Sequence, residues 1–469
     1  MRTKKAAGQR KCNPARKSSP PRTPDAVTTD RRSPIETTGE VFSNGQSIEL
    51  VLDAETGRPT LLFSDGEKCT VLPRVEYLGR VYVPADLSPS ILRAVTWPTK
   101  CIDYGSTNKL FAAVQEMFTN HAFADEVALP TTHVVFSSWF PECLPAAPCL
   151  SITGPRPEAT LLLQLLDCLV RHALPLAEVS RAALCSLPMD LHPTLLIDHE
   201  HLSRSTRRLL SASNNRNAYI PRKGSLVNIY CAKAIYRGDV LGDGLFGDAA
   251  LQINLAPSRG KSPILDAKAQ QEIASELQPQ LLAYRLKNLA KVRASEFDLP
   301  GFASPIRILA RVLGACIADA PELQAGLLPL LEEYEERIRG ERWVDLRCIV
   351  IEALLSHCHT GQKDRVHVGE IAARTGTILK GRGETPARDP ELFKLVGGIL
   401  RELGFSPKRE SKGYAMRLTD SVRRRIHQLA RDHDVAAVQE GVALCPHCAE
   451  ILGVGDTRKH ASSTSKEEK

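Results

Sequence analysis

Pro148-Cys-Leu-Ser-Ile-Thr-Gly154-Pro-Arg-Pro-Glu-Ala159-Thr160-Leu161 is an apolar run, a glycine and the opening of a helical pattern. Residues 148–153 read as a buried strand that ends at Gly154. Residues 158–172 (EATLLLQLLDCLVRH) carry the apolar spacing of a helix. Thr194–Asp198 is a second apolar strand, and Leu226–Cys231 and Ala250–Leu255 are two more. Strands interleaved with helices predict an α/β sheet, mainly parallel, over residues 101–265. Strand 148–153 is expected beside strand 194–198, with Gly154 and Asp198 at neighbouring strand ends.

Working outward, residues 41–100 read as a small β-rich domain of four or five strands. Ser47–Leu52 and Thr60–Phe63 are short apolar runs separated by turn signals at Asn44-Gly45, Thr56-Gly57-Arg58-Pro59 and Asp65-Gly66. Val75–Val83 adds a hairpin around Gly79. Leu110, Val114, Met117 and Phe118 line one face of a helix within 106–127. Residues 266–362 read as a helical domain, with helices at Ala267–Ala294 and Ile306–Ala318. Residues 363–435 change character: helices at Val368–Arg374 and Pro390–Leu403, a strand–turn–strand over Phe405–Leu418, and a closing helix at Ser421–Arg431. That order is the pattern of a winged helix-turn-helix.

Composition limits the alternatives. At 469 residues, two to four domains are expected. No run of about 18 apolar residues suggests a membrane span. The N-terminus has basic residues but no apolar run after them, so no ordinary secretory signal is expected. Thirteen cysteines are scattered, many in apolar runs (Cys149, Cys168, Cys185, Cys231, Cys316, Cys348), as buried reduced thiols are. A reducing cytoplasm is the expected compartment. The net charge is +7, yet residues 1–32 alone hold ten Lys/Arg against two Asp, leaving 51 basic and 52 acidic residues elsewhere. Residues 1–40 are expected to be a disordered basic tail. Either a non-specific contact with nucleic acid or a solvated tail without a partner fits it.

A working phosphate loop reads G-x-x-x-x-G-K-[ST] between a strand and a helix; its amides and lysine hold phosphates and its hydroxyl holds Mg²⁺. Here the context is present and Gly154 supplies the first glycine. Ala159 replaces the second, Thr160 the lysine and Leu161 the hydroxyl, and two prolines remove amide donors. Leu195-Leu-Ile-Asp198-His-Glu200 is an apolar strand ending in an acid, the form of a Walker B strand. Asp198 is suited to sit beside Mg²⁺; Glu200 stands one place later than a catalytic glutamate would. A plain acidic turn at a strand end fits equally well. Gly154, Thr160 and Asp198 are therefore the candidate nucleotide positions, and Asp198 and Glu200 the vestigial catalytic ones.

Segments 104–118, 148–172 and 194–255 resemble the ATPase part of plasmid and phage primase–helicase proteins, which are AAA+-like and ring-forming. The resemblance runs through Ser211–Tyr219 and through Cys231-Ala-Lys233-Ala-Ile235, which is similar to a "PKAIA" stretch of that family's sensor region. It implies a helicase-derived protein of a mobile element, DNA as partner and a homo-oligomer. It also implies an Asp-Arg pair near Leu245–Leu255, where this chain has Asp248-Ala249. With the lysine, hydroxyl, adjacent glutamate and arginine all replaced, the electrostatic stabilisation of phosphoryl transfer is gone, and a pseudo-ATPase is expected. A bound ATP/Mg without turnover stays compatible with the motifs. An active ATPase with an atypical loop and a protein-interaction adaptor are the competing readings.

Residues 401–431 hold nine Lys/Arg against three acids. Lys394 and Arg401 fall on the expected recognition helix, Lys408, Arg409 and Lys412 on the wing, and Arg423, Arg424 and Arg425 on the closing helix. Such cations neutralise phosphates and release counterions; a solvated protein-binding surface is the alternative. In the tail 436–469, Cys445-Pro-His-Cys448 has the spacing of half a zinc knuckle. His433, His447 and His460 are the nearby candidates for completing it, and an isolated pair without metal is the alternative. No G-x-S-x-G or H-E-x-x-H occurs, and His199-Glu200-His201 lacks zincin spacing.

Overall fold

The computed structural model describes residues 33–199, 202–222, 224–237, 250–257, 265–302, 304–360, 364–411 and 413–433, with Val435 and His447. The basic tail 1–32, Glu200, Asp248-Ala249, Lys412, Cys445 and Cys448 lie outside these residues. The chain divides into two compact units, Met1–Leu92 and Arg93–Lys469.

The first unit contains β1 (Ile35–Thr37), β2 (Gly39–Val41), β3 (Ser47–Leu52), β4 (Pro59–Ser64), β5 (Cys69–Leu72), β6 (Val75–Tyr77) and β7 (Arg80–Pro84). One antiparallel sheet runs β2-β3-β4-β5, and a second runs β1-β7-β6 with β1 parallel to β7. The Asn44-Gly45 turn works as its residues require: Gly45 has φ +86° and donates to the Phe42 carbonyl at 3.2 Å. Ile48, Leu50, Val51, Leu61 and Leu62 form the buried centre. Strands begin at Ile35 rather than at residue 41. Ile-Glu-Thr and Gly-Glu-Val are too short to show a period and become strands only by pairing with β7 and β3. The helix α1 (Pro89–Ala94) spans the division between the units.

The second unit opens with α2 (Thr107–Asn120), whose Ser106 cap accepts from the Lys109 N–H, and α3 (Asp125–Ser138). Its sheet is built from β8 (Cys149–Thr153), α4 (Arg156–Leu169), β9 (Ala173–Leu176), α5 (Arg181–Leu184), β10 (Thr194–Asp198), α6 (Arg204–Ala212), β11 (Tyr219–Arg222), β12 (Ser225–Asn228), β13 (Lys233–Tyr236) and β14 (Leu251–Asn254). The five central strands lie in the order β14-β8-β13-β10-β9, all parallel. The mixed α/β core with a parallel sheet is thus as expected, but three details differ. Strands β8 and β10 are not neighbours, because β13 lies between them. The run Leu226–Cys231 is not a core strand: β12 forms an exposed hairpin with β11, with Leu226 71% accessible. The inserted strand is Lys233–Tyr236, buried throughout as a strand covered on both faces must be. Finally, α4 begins at Arg156 rather than at residue 158.

Further helices complete the unit: α7 (Ala267–Arg293), α8 (Ser304–Ala315), α9 (Pro321–Val344), α10 (Leu346–Thr360), α11 (Val368–Gly381), α12 (Asp389–Glu402) and α13 (Asp420–Asp432). β15 (Arg365–His367), β16 (Lys408–Glu410) and β17 (Gly413–Arg417) form an antiparallel sheet in the order β15-β17-β16. One apolar core joins Val350, Ile351, Leu354 and Leu355 of α10 to Ile371, Val396, Leu400, Met416 and Ile426. The expected boundary at 362/363 would cut through this core, since α10 packs with the elements that follow it. The helix's apolar face marks it as packed but does not say against which neighbour. No helix among the described residues is long and apolar enough to cross a membrane.

Helix α7 is tied to the end of α3 by one buried cation. Arg285, 2% accessible, donates to the Trp139 carbonyl and is ion-paired with Glu142. Tyr284 beside it packs edge-on to Tyr104, Phe136 and Phe140. Removing one partner of a buried pair leaves the other uncompensated, so Arg285→Ala is expected to cost about 3 kcal/mol in urea unfolding. A loss below about 1 kcal/mol, the range of an exposed pair, would show that the tie is dispensable.

Candidate functional site

Parallel α/β sheets bind ligands outside the carboxyl ends of strands where successive connections leave in opposite directions. From β8 the chain runs to β9 at one edge of the sheet; from β13 it runs to β14 at the other. By that rule a ligand crevice is expected over Gly154, Tyr236 and Asp198. All three sit at the carboxyl ends of their strands, but Gly154 and Asp198 are not at neighbouring strand ends as expected, because β13 separates β8 from β10.

The passage from β8 to α4 consists of two residues, Gly154 and Pro155. Gly154 adopts φ +112°, and a Cβ there would lie 2.3 Å from the Leu255 carbonyl oxygen. The Leu255 N–H donates to the Thr153 carbonyl at 2.8 Å, and the Tyr236 hydroxyl donates to the Gly154 carbonyl at 3.1 Å. The glycine thus serves close packing of the chain on itself. Its neighbour Pro155 caps α4 without a side-chain hydrogen bond, Pro157 lacks an amide proton, and Glu158 adds a carboxylate to the first turn. A helix N-terminus attracts anions through its amides and dipole; here both are blunted. Ala159, Thr160 and Leu161 lie inside the helix, with Ala159 and Leu161 buried. Thr160 therefore does not face the crevice through a loop amide, as the sequence alignment of the motif would have placed it.

Asp198 meets the guanidinium of Arg156 at 3.6 Å, with side chains 28% and 59% accessible. So exposed a pair adds little stability, but it sets a fixed positive charge against the acid. Next to it, His199 accepts from the Val179 N–H through Nδ1 at 3.4 Å. Lys233 lies at the opposite, amino end of its strand. It is fully buried and donates to the Asn214 side-chain oxygen, so it ties β13 to the turn after α6. Tyr236, which the sequence did not single out, is the residue of that strand that reaches the crevice. Among the described residues no group of three or more His, Cys, Asp or Glu is arranged to hold a metal.

The second candidate surface is on α12, β16, β17 and α13. Lys394, Arg401, Lys408, Arg409 and Arg424 are exposed. Two cations expected with them are engaged in the fold. Arg423 donates to the carbonyls of Leu418 (3.1 Å) and Cys358 (3.3 Å). Arg425 donates through Nε and Nη2 to the Leu403 carbonyl at 3.2 and 2.8 Å and lies over the Phe405 ring. It caps the carboxyl end of α12, where a cation is favoured. Arg401 also donates through Nε to the Gly397 carbonyl at 3.1 Å while staying exposed. Phe393, Leu395 and Tyr414 are exposed on the same elements at 42%, 48% and 56% accessibility. Their exposure depends on how α12 and β17 pack, which the sequence did not show.

No protein-family model matches the chain, and no curated protein matches it. Among solved structures, two apo structures of the NrS-1 C-terminal region align over 79% of this chain. The first shows 12% identity, 97% coverage of that chain and a TM-score of 0.30; the second 11%, 96% and 0.29. Cdc6p from Pyrobaculum aerophilum aligns over 66% of this chain and 93% of its own, at 13% identity and a TM-score of 0.17. None superposes closely enough to carry an inference.

The Gly154 contact can be tested alone. Gly154→Ala forces a Cβ into a carbonyl and a positive φ onto an L-residue, and is expected to cost about 1–3 kcal/mol in unfolding stability. Stability within about 0.5 kcal/mol of the parent, the range of an ordinary surface change, would mean that Leu255 does not press on this glycine.

Proposed function

We propose that this chain is a DNA-binding, helicase-derived protein in which an AAA+-like core persists without ATP turnover and residues 346–435 form a winged helix that grips duplex DNA. The observation that carries the reading is the order α10, β15, α11, α12, β16, β17 around one core, with exposed Lys394 and Arg401 on α12 and Lys408 and Arg409 on the hairpin. In a helix-turn-helix, the second helix enters the major groove and flanking cations hold the backbone. Here α12 is that helix, and β16–β17 is the wing. The small β-rich first unit and the cationic residues 1–32 have no assigned role in this reading.

The pseudo-ATPase half rests on the two-residue passage at Gly154-Pro155 and on Arg156 beside Asp198. A loop that cradles a triphosphate needs several free amides before the helix begins; here the helix has already started. With Mg²⁺-ATP, turnover is expected to stay below about 1 s⁻¹, the low end of ordinary enzymes, with or without DNA. Faster hydrolysis that Asp198→Ala abolishes would restore the active-ATPase reading.

For DNA, affinity of the full chain is expected to fall steeply with salt, each neutralised phosphate adding about 0.9 to the log–log slope. Substituting Lys394, Arg401, Lys408 and Arg409 together with Ala should flatten that slope by up to about 3.6 units and weaken different sequences alike. An unchanged slope would move the contact to another cationic segment, residues 1–32 first. Absence of DNA binding at low salt would favour the second reading, a protein-interaction adaptor, which the exposed Phe393 and Leu395 on α12 recommend.

A further inference from the structure

Helix α12 turns an apolar stripe inward and a mixed face outward. Leu392, Val396 and Leu400 are buried at one-turn intervals. On the outside stand Phe393, Lys394, Leu395 and Arg401, all exposed, with Phe393 at 42% and Leu395 at 48% accessibility. At about 100° per residue, Phe393 and Leu395 lie on opposite flanks of that face, and Lys394 lies between them. Gly397 and Gly398 follow on the same helix. Glycine in a helix interior is unfavourable beside alanine. A Cβ at either position would meet nothing within 4 Å, so no contact inside the fold requires them. Their missing side chains leave the helix backbone open to close approach from outside.

The charges on this face select the kind of body that approaches. Lysine is depleted at the centres of protein interfaces, yet Lys394 stands in the middle of this one. Arg401 is about two turns along, and Lys408 and Arg409 are exposed on β16. That set complements a polyanion. At the amino end the sign reverses, because Asp389 and Glu391 are exposed in the first turn. Two carboxylates repel phosphates, so that end suits base edges rather than the backbone, and the amino-terminal residues of a recognition helix are the ones that read bases. Phe393 and Leu395 offer no side-chain hydrogen bond. The apolar group that the major groove presents to such side chains is the C5 methyl of thymine.

We propose that α12 recognises thymine methyl groups in the major groove through Phe393 and Leu395, which gives the chain a preference for A·T-rich duplex. The inference rests on the reading of α12 as the helix that enters DNA. Lys394 and Arg401 supply attachment that is blind to sequence, and the two apolar side chains supply the discrimination. Burying one methyl against an apolar side chain raises affinity about fourfold.

The test titrates the full chain with a fluorescent A·T-rich duplex and with the same duplex in which every thymine is replaced by uracil. The exchange removes methyl groups alone and keeps charge and pairing. Affinity is expected to fall about fourfold if one methyl contact is lost and about fifteenfold if two are, while the log–log salt slope stays the same because no phosphate contact changes. Phe393→Ala/Leu395→Ala, at two exposed positions, should bind the two duplexes alike, with circular dichroism reporting the helical content of the parent. Equal affinity of the parent chain for the thymine and uracil duplexes would overturn the inference and leave DNA binding by α12 standing. Discrimination retained by the double variant would overturn it too, placing the preference in duplex shape. No binding of either duplex at low salt would overturn both this inference and the DNA-binding reading beneath it, and would leave Phe393 and Leu395 to a protein partner.

Discussion

The contact of Gly154 with the Leu255 backbone is the constraint on which the central reading depends. Strand β8 must turn into α4 within two residues, while the chain leaving β14 presses on the turn. Only glycine meets both the positive φ and the missing Cβ volume. Once the turn is that tight, few amides are left to open towards a phosphate: Pro155 and Pro157 carry none, and the Ala159 N–H donates to the Pro155 carbonyl at 3.1 Å. The same tightness brings Arg156, the first helical residue, to Asp198. The strand ends, where parallel α/β proteins bind ligands, are thus taken up here by internal contacts.

At the other end of the chain, a single apolar core fixes several short elements. Val350, Ile351 and Leu355 of α10 meet Ile371 of α11, Val396 of α12 and Met416 of β17. None of these pieces is long enough to be stable alone. Packed together, they hold α12 and the β16–β17 hairpin outward, and Arg425 closes the carboxyl end of α12. Cations are divided by this geometry. Arg423 and Arg425 donate to backbone carbonyls and serve the fold, whereas Lys394, Lys408 and Arg409 are exposed. The exposed Tyr414 on the hairpin and Phe393 on α12 give the same surface an apolar component.

The sequence made the elements legible where an apolar period is long or bounded by turn residues. Strands β8 and β10, helix α7 and the Asn44-Gly45 hairpin are of this kind. Neighbour relations were not legible. Two apolar runs, Leu226–Cys231 and Lys233–Tyr236, look alike locally, and only pairing decides that the second enters the sheet. The start of α4 was misplaced because Arg156-Pro157 reads as loop, although proline is tolerated in a helix's first turn. At the candidate site, motif positions showed what had been lost but not what had replaced it. Arg156 at Asp198 and the carbonyl partners of Arg423 and Arg425 depend on side-chain direction, which no spacing rule encodes.

If the core turns over no ATP and residues 346–435 grip DNA as proposed, duplex DNA should touch α12 and the hairpin, and nucleotide should touch nothing at the strand ends. Hydrogen exchange of the full chain, with and without duplex DNA and with and without Mg²⁺-ATP, measures both at once. DNA-dependent protection is expected in α12, β16 and β17, with no ATP-dependent change from β8 through the first turns of α4. Protection of the β8–α4 passage by ATP, or DNA protection that spares α12 and the hairpin, would contradict the proposed function.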